Sequence, residues 1–183
     1  MKTITDHIVD IMQNSTRAGA TEVRLSVSID PESGYISFEV ADNGRGIPND
    51  IIDRVADPFT TSRKTRKVGL GLPLLRQHAS MSGGSLEIKS EEGAGTIVKA
   101  VFGYESIDRQ PLGGLGEAVA LFITGNPGVN LIFSYSSPAG SYAVSSVEIS
   151  ESLDGDDLGR PVWFAVIREM INDNLIELGS GNV

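Results

Sequence analysis

Asp10 and Asn14 stand four residues apart in a stretch where Ile4, Ile8, Ile11 and Met12 recur at helical spacing. A helix there sets both polar side chains on one face, one turn from each other. The amide oxygen of Asn14 is the kind of hard donor that Mg²⁺ takes beside phosphate oxygens. A carboxylate one turn earlier, at Asp10, can orient or deprotonate a nucleophile that attacks a terminal phosphate. The same two residues also suit the solvated polar face of an ordinary surface helix.

Asp42 follows the alternating Ile36, Phe38 and Val40 and opens the segment Asp42-Asn-Gly44-Arg-Gly46-Ile-Pro48. Two glycines one residue apart let the backbone bend sharply and approach a flat ligand. A carboxylate at such a place can accept a hydrogen bond from an exocyclic amine, which selects adenine over guanine. Asp-Asn-Gly is equally a strong signal for a plain hairpin turn. Further on, Gly69 and Gly71 sit where a basic loop enters a helix, and helix starts hold anions through free N–H groups. Arg63, Lys64, Arg66 and Lys67 directly precede them and can clamp a triphosphate or simply form a solvated loop. His7 and His78, the only histidines, lack a second histidine or cysteine at ligand spacing and read as surface or half-buried residues. Asp154-Gly-Asp-Asp-Leu-Gly reads as a turn, because the distal Glu of a calcium loop is absent.

These residues need elements to position them. The pattern predicts a helix over 4–18 stopped near Gly19, strands around 23–29 and 36–40 joined through Pro31 to Gly34, and a short helix around 49–55. A polar basic loop covers 57–69, and a second helix runs from about 71 to 81 with Pro73 in its first turn. Gly83-Gly84 ends that helix, and 85–90 with 96–102 form a hairpin around Glu91 to Gly95. This order makes an α+β sandwich with helices on one face of a mixed sheet. Past Gly103 come an apolar helix at 113–124, a hairpin of Val129 to Ser136 with Ser141 to Ile149, and a helix over Pro161 to Glu177. Trp163 reads as core of that second part. The expected division is therefore 1–104, carrying the polar constellation, and 105–183, a small α+β module entered near Pro111-Leu-Gly-Gly.

Composition narrows the classes. The chain of 183 residues, 40% apolar, can bury a sizeable core. It holds no cysteine, which excludes a disulfide scaffold and a thiol nucleophile and fits a reducing, cytoplasmic setting. No apolar run reaches membrane-spanning length, and the first residues turn polar where a signal peptide needs its apolar core. The net charge of −9 is uneven: 12 Lys and Arg meet 13 Asp and Glu in residues 1–103, while 3 meet 11 in 104–183. The second part repels polyanions, so nucleic acid is not expected as a partner there.

In their order and spacing these segments resemble the GHKL superfamily, the ATP-binding fold of gyrase, MutL, the large heat-shock chaperones and histidine kinases. The resemblance covers about residues 4–103. Asn14-Ser-Thr-Arg-Ala-Gly-Ala20 resembles the N box, most like MutL's; Asp42 to Pro48 resembles the G1 box; Asp57 to Ser62 resembles the F box of kinases. Val68 to Leu72 and Gly93 to Thr96 resemble the G2 box and its later glycine-threonine turn. The resemblance implies a Bergerat-type two-layer α/β sandwich with ATP and Mg²⁺ as ligands. It further implies Asn14 as Mg²⁺ ligand, Asp42 reading the adenine amine with help from Thr96, and Gly44, Gly46, Gly69 and Gly71 shaping pocket and lid beside Ile47, Leu70 and Leu72. Asp10 aligns with the Glu that gyrase-type ATPases use as general base and is one methylene shorter. The lid, 57–70, is short as in kinases. Too few residues precede the first helix to form a phosphoacceptor hairpin, so an acceptor is expected in another chain. Two functions follow as expectations: phosphoryl transfer to a partner protein docked on the acidic second part, or an ATP-driven switch without transfer. A homodimer is compatible with either.

Overall fold

The computed structural model describes residues 1–52, 71–153 and 156–180, without the side chains of Asn49 and Ile51. The first helix, α1, spans Ile4–Arg17. It starts at a reciprocal cap, in which Thr3 Oγ1 accepts the Asp6 N–H while Asp6 reaches back to the Thr3 N–H. Its apolar stripe of Ile4, Ile8, Ile11 and Met12 is buried. Two strands follow, β1 at Glu22–Asp30 and β2 at Tyr35–Asp42, antiparallel with Leu25 opposite Val40. Val23, Leu25, Val27 and Ile29 point inward and the residues between them outward, as a half-buried sheet requires.

Next come the short helix α2 at Asn49–Ile52, helix α3 at Gly71–Met81, and the hairpin of β3 at Ser85–Glu91 and β4 at Gly95–Gly103. Pro73 sits in the first described turn of α3. β4 pairs antiparallel with both β2 and β3. α1 and α3 lie side by side on the same face of this sheet, so the helix, strand, strand, helix, strand, strand order takes the expected α+β form.

Residues beyond 104 form helix α4 at Leu115–Gly125, strands β5 at Asn130–Ser137 and β6 at Gly140–Ser145, helix α5 at Ser146–Ser152 and helix α6 at Pro161–Glu177. Here the structure departs from the sequence reading. β5 runs parallel to β1, with Phe133 opposite Leu25, giving one six-stranded mixed sheet in the order β3-β4-β2-β1-β5-β6. Residues 105–183 thus extend the first sheet instead of carrying one of their own. Parallel neighbours need a long crossover, and no local pattern in β5 names a partner a hundred residues upstream. The Pro111-Leu-Gly-Gly boundary is also a structural contact: the Pro111 and Leu112 carbonyls accept the Ile4 and Thr5 N–H groups at 2.9 Å, satisfying the free start of α1. The expected strand over Ser141 to Ile149 ends at Ser145, because Ser145 and Glu148 form a reciprocal cap that turns the chain into α5. α6 packs on α4, and Trp163 is half-buried with its Nε1–H donating to Asp156 Oδ2 at 3.3 Å.

The opposite face of the sheet carries small polar side chains. Ser134 donates to Ser26 at 2.9 Å and Ser136 to Ser28 at 3.1 Å across the β1–β5 pair. The helix-covered face therefore holds the core and, at its edge, the polar residues singled out above.

Candidate functional site

Both ends of the constellation hang from α1. Near its last turn, Ser15 is buried and donates to Asp42 Oδ2 at 2.6 Å. The other oxygen of Asp42 accepts the Gly44 N–H at 2.9 Å. The carboxylate at the end of β2 is thereby held in one orientation by two donors, and its remaining lone pairs are free to accept. Five residues earlier, about 7.5 Å along the helix axis, Asp10 accepts from Asn14 Nδ2 at 3.3 Å. Its Oδ2 lies against Gly71, the first described residue of α3, where a Cβ would approach to 1.9 Å. A side chain there would have to displace the Asp10 carboxylate.

Asn14 Oδ1 accepts from the Arg17 guanidinium at 2.9 Å. The oxygen is a hard neutral donor of the sort Mg²⁺ takes beside phosphate oxygens.

The glycines of the Asp42 loop are fixed by close approach. A Cβ on Gly44 would come within 2.9 Å of Ala18 Cβ, and one on Gly46, whose φ is +70°, within 2.1 Å of the Glu91 carbonyl oxygen. Gly93 N–H donates to the Arg45 carbonyl at 2.8 Å, lacing this loop to the β3–β4 turn. Gly95 has φ +121° and presses on the Asp42 carbonyl, and Thr96 stands opposite Asp42 in the β2–β4 ladder. Asp10, Asn14, Asp42, Gly44, Gly46, Ile47, Gly71 and Thr96 thus belong to one connected set at the ends of α1, β2 and β4 and the start of α3, and Leu72 packs beside it against the core. Arg63, Lys64, Arg66, Lys67, Gly69 and Leu70 lie outside the described residues. A groove of about 520 Å³ opens at the same strand ends, where Asp42, Ser90, Gly95 and Thr96 line it together with Arg24, Ala41, Lys89 and Ile97.

Three participants escape a reading of spacing. Ser15 and Ser90 hold the carboxylate and the threonine, and a serine in a strand or helix carries no local mark of such a role. The third is the histidine pair. His7 is buried, not a surface residue, and its Nε2 stands 3.0 Å from His78 Nδ1 and 3.1 Å from Gln110 Oε1. Burial holds both imidazoles below their usual pKa, and at His7 repulsion from a charged His78 lowers it further. The pair joins α1 to α3, with His7 one turn before Asp10 on α1.

Residues 2–105 match the family described as histidine kinase-, DNA gyrase B-, and HSP90-like ATPase, and the chain belongs to that family. It is 40% identical over 70 residues to sensor kinase CckA of Brucella abortus, covering 38% of this chain and 7% of that protein. It is 33% identical over 102 residues to sporulation kinase D of Bacillus subtilis, covering 54% of this chain and 20% of that protein. Among solved structures, the N-terminal domain of a DNA repair protein is similar with a TM-score of 0.53 at 14% identity, over 79% of this chain and 52% of that one, a likeness of fold. The chain thus spans a small part of the length of these curated relatives. Among the described residues no helix is long and apolar enough to cross a membrane.

Proposed function

We propose that this histidine kinase-like ATPase domain binds Mg²⁺-ATP between α1, the Asp42 loop and α3, and transfers the γ-phosphoryl group to an acceptor on a partner protein. The observation that carries the reading is the pairing of a donor-fixed carboxylate at Asp42, held by Ser15 of α1, with a second carboxylate, Asp10, five residues earlier on α1 and against Gly71. The first is built to accept from an exocyclic amine. The second stands where a helix begins and can take a proton from a nucleophile. Asn14 would hold Mg²⁺, whose charge offsets that of the phosphates. The basic residues Arg63, Lys64, Arg66 and Lys67 are assigned the triphosphate, with Gly69, Leu70, Gly71 and Leu72 around it. In the step itself an acceptor atom forms the new bond to the γ-phosphorus, the bond to the bridging oxygen breaks, and ADP leaves with that electron pair. The acceptor's proton passes to Asp10.

Names of the relatives favour phosphoryl transfer over hydrolysis, since both are kinases. A second reading has support in Asp10 alone: a carboxylate at that place can equally activate water, giving ATP hydrolysis that switches partner contacts. Incubating the full chain with γ-labelled Mg²⁺-ATP and an extract of its own cell separates the two. A labelled partner protein that disappears with Asp10→Asn supports transfer. Labelled inorganic phosphate without labelled protein refutes transfer and supports the switch, and no binding of ATP at all refutes both.

A further inference from the structure

Ser90 on β3 places one hydroxyl against three elements. Its Oγ accepts the Ile47 N–H at 2.8 Å, donates to the Gly95 carbonyl at 2.8 Å, and lies 2.8 Å from Thr96 Oγ1. A serine hydroxyl has one proton and two lone pairs. A carbonyl can only accept, so the Ser90 proton goes to Gly95, and the Ile47 amide takes one lone pair. The third contact is then satisfied only if Thr96 donates. The reverse orientation would set two acceptor oxygens against each other at Gly95. The single proton of Thr96 is thereby committed to Ser90, and Thr96 Oγ1 offers lone pairs alone to anything else it meets. Its ladder partner Asp42 is in the same condition, with the Ser15 hydroxyl and the Gly44 amide already donating to it.

We propose that Ser90 is a positioning residue for base recognition: by taking the Thr96 proton it turns the Asp42–Thr96 pair into an acceptor-only reader. Such a reader matches the two N–H groups of a 6-amino purine and opposes the carbonyl oxygen of a 6-oxo purine. A Thr96 hydroxyl free to rotate would donate to that oxygen and blur the distinction. The inference rests on the reading above that the base sits against Asp42, and it adds the residue that fixes the polarity of the site. Ser90 also ties the glycine loop to the β3–β4 turn through Ile47, so the same hydroxyl sets the spacing of the two edges.

The test measures binding of three probes to the full chain: ATP, inosine triphosphate, and purine riboside triphosphate, which bears hydrogen at position 6. The wild type is expected to bind ATP most tightly and inosine triphosphate more weakly than purine riboside triphosphate, because an oxygen facing two acceptors is worse than no group at all. Ser90→Ala should weaken ATP and narrow the ratio of ATP to inosine triphosphate affinity by roughly 2- to 10-fold, the scale of one hydrogen bond, while Ser90→Thr keeps the wild-type ratio. A purely structural role for Ser90 would lower all three affinities together and leave the ratio unchanged, and that result overturns the inference. Equal binding of ATP and inosine triphosphate by the wild type would instead overturn the placement of the base at Asp42. Should Ser90→Ala fail to fold, the wild-type order decides: inosine triphosphate binding as well as or better than purine riboside triphosphate sinks the acceptor-only polarity.

Discussion

Phe133→Ala tests whether the two halves of the chain form one cooperative unit. Phe133 sits on β5 opposite Leu25 of β1, is fully buried, and meets the Tyr142 ring edge-on at 6.3 Å between centroids. Truncating a buried phenylalanine costs about 3–5 kcal/mol, through lost transfer energy plus the cavity left behind. For a chain of this length each kcal/mol moves the melting temperature by about 2–4 °C, so a fall of roughly 6–20 °C is expected. Two probes report different halves. The single tryptophan, Trp163, lies in α6, while far-UV circular dichroism averages over the whole sheet. If the shared sheet makes one unit, both transitions fall together, as two-state unfolding requires. Phe38→Ala, in β2 and stacked on Phe102 at 6.2 Å, should then lower the Trp163 transition to a similar extent from the far side of the sheet. A Trp163 signal that shifts with Phe133→Ala while a dichroism step persists at the wild-type temperature would refute the shared core and return residues 105–183 to the status of a separate module.

Asp42→Asn should weaken ATP on the order of 10- to 100-fold, the cost of a hydrogen bond to a charged group; unchanged affinity by calorimetry would remove Asp42 from the base. Asn14→Ala should abolish the gain in triphosphate affinity on adding Mg²⁺ and leave adenosine affinity nearly unchanged, and an equal Mg²⁺ effect in both proteins would exclude Asn14 as the ligand. Gly95→Ala should destabilise the protein by more than about 2 kcal/mol in urea, because its φ of +121° adds strain to a Cβ placed 1.9 Å from the Asp42 carbonyl oxygen. Gly93→Ala, at φ +83° with open space around it, should cost only about 1–2 kcal/mol, and equal losses would discredit the clash. His7 and His78 are held neutral below the usual value of 6.5 in the folded chain, so the unfolded chain binds more protons as pH falls below 6.5. Stability should therefore drop as pH falls below about 6.5, by at most about 1.4 kcal/mol per pH unit for each imidazole. The double variant His7→Gln, His78→Gln should flatten the urea midpoint across that window, and an unflattened slope would assign it elsewhere.

How much of this was legible in the sequence depended on distance along the chain. Contacts made within one helix or one hairpin leave a period that can be read: Ile4, Ile8, Ile11 and Met12 mark the buried face of α1, and Val23 to Ile29 alternate as a half-buried strand must. Asp10 and Asn14 were visible for the same reason, being one turn apart on a single helix. The β1–β5 pairing was not visible. Leu131, Phe133 and Tyr135 alternate just as well for a hairpin with β6 alone as for a strand lodged between β6 and β1, because alternation records which face is buried and not which strand lies alongside. The break at Pro111-Leu-Gly-Gly marks a change of local pattern, and the sheet nevertheless continues from β1 into β5 on its far side.

Hydrogen-bond polarity is harder still to read, and the site depends on it. Asp42 is recognisable beside its glycines, but the donors that fix its carboxylate come from Ser15 on a helix and from the Gly44 amide. On the assignment proposed above, the Thr96 proton goes to Ser90 on another strand, because the Ser90 proton is given to the Gly95 carbonyl. Serine is common and carries no spacing rule, so its role emerges only when each lone pair and each proton is assigned a partner. The consequence reaches function. A carboxylate in a glycine loop specifies a place for an amine, whereas rejection of a 6-oxo base needs every neighbouring hydroxyl turned away from donating. On the proposed reading, specificity of that kind would belong to the closed set Ser15, Asp42, Ser90 and Thr96, and it would be lost when any one member is free to rotate.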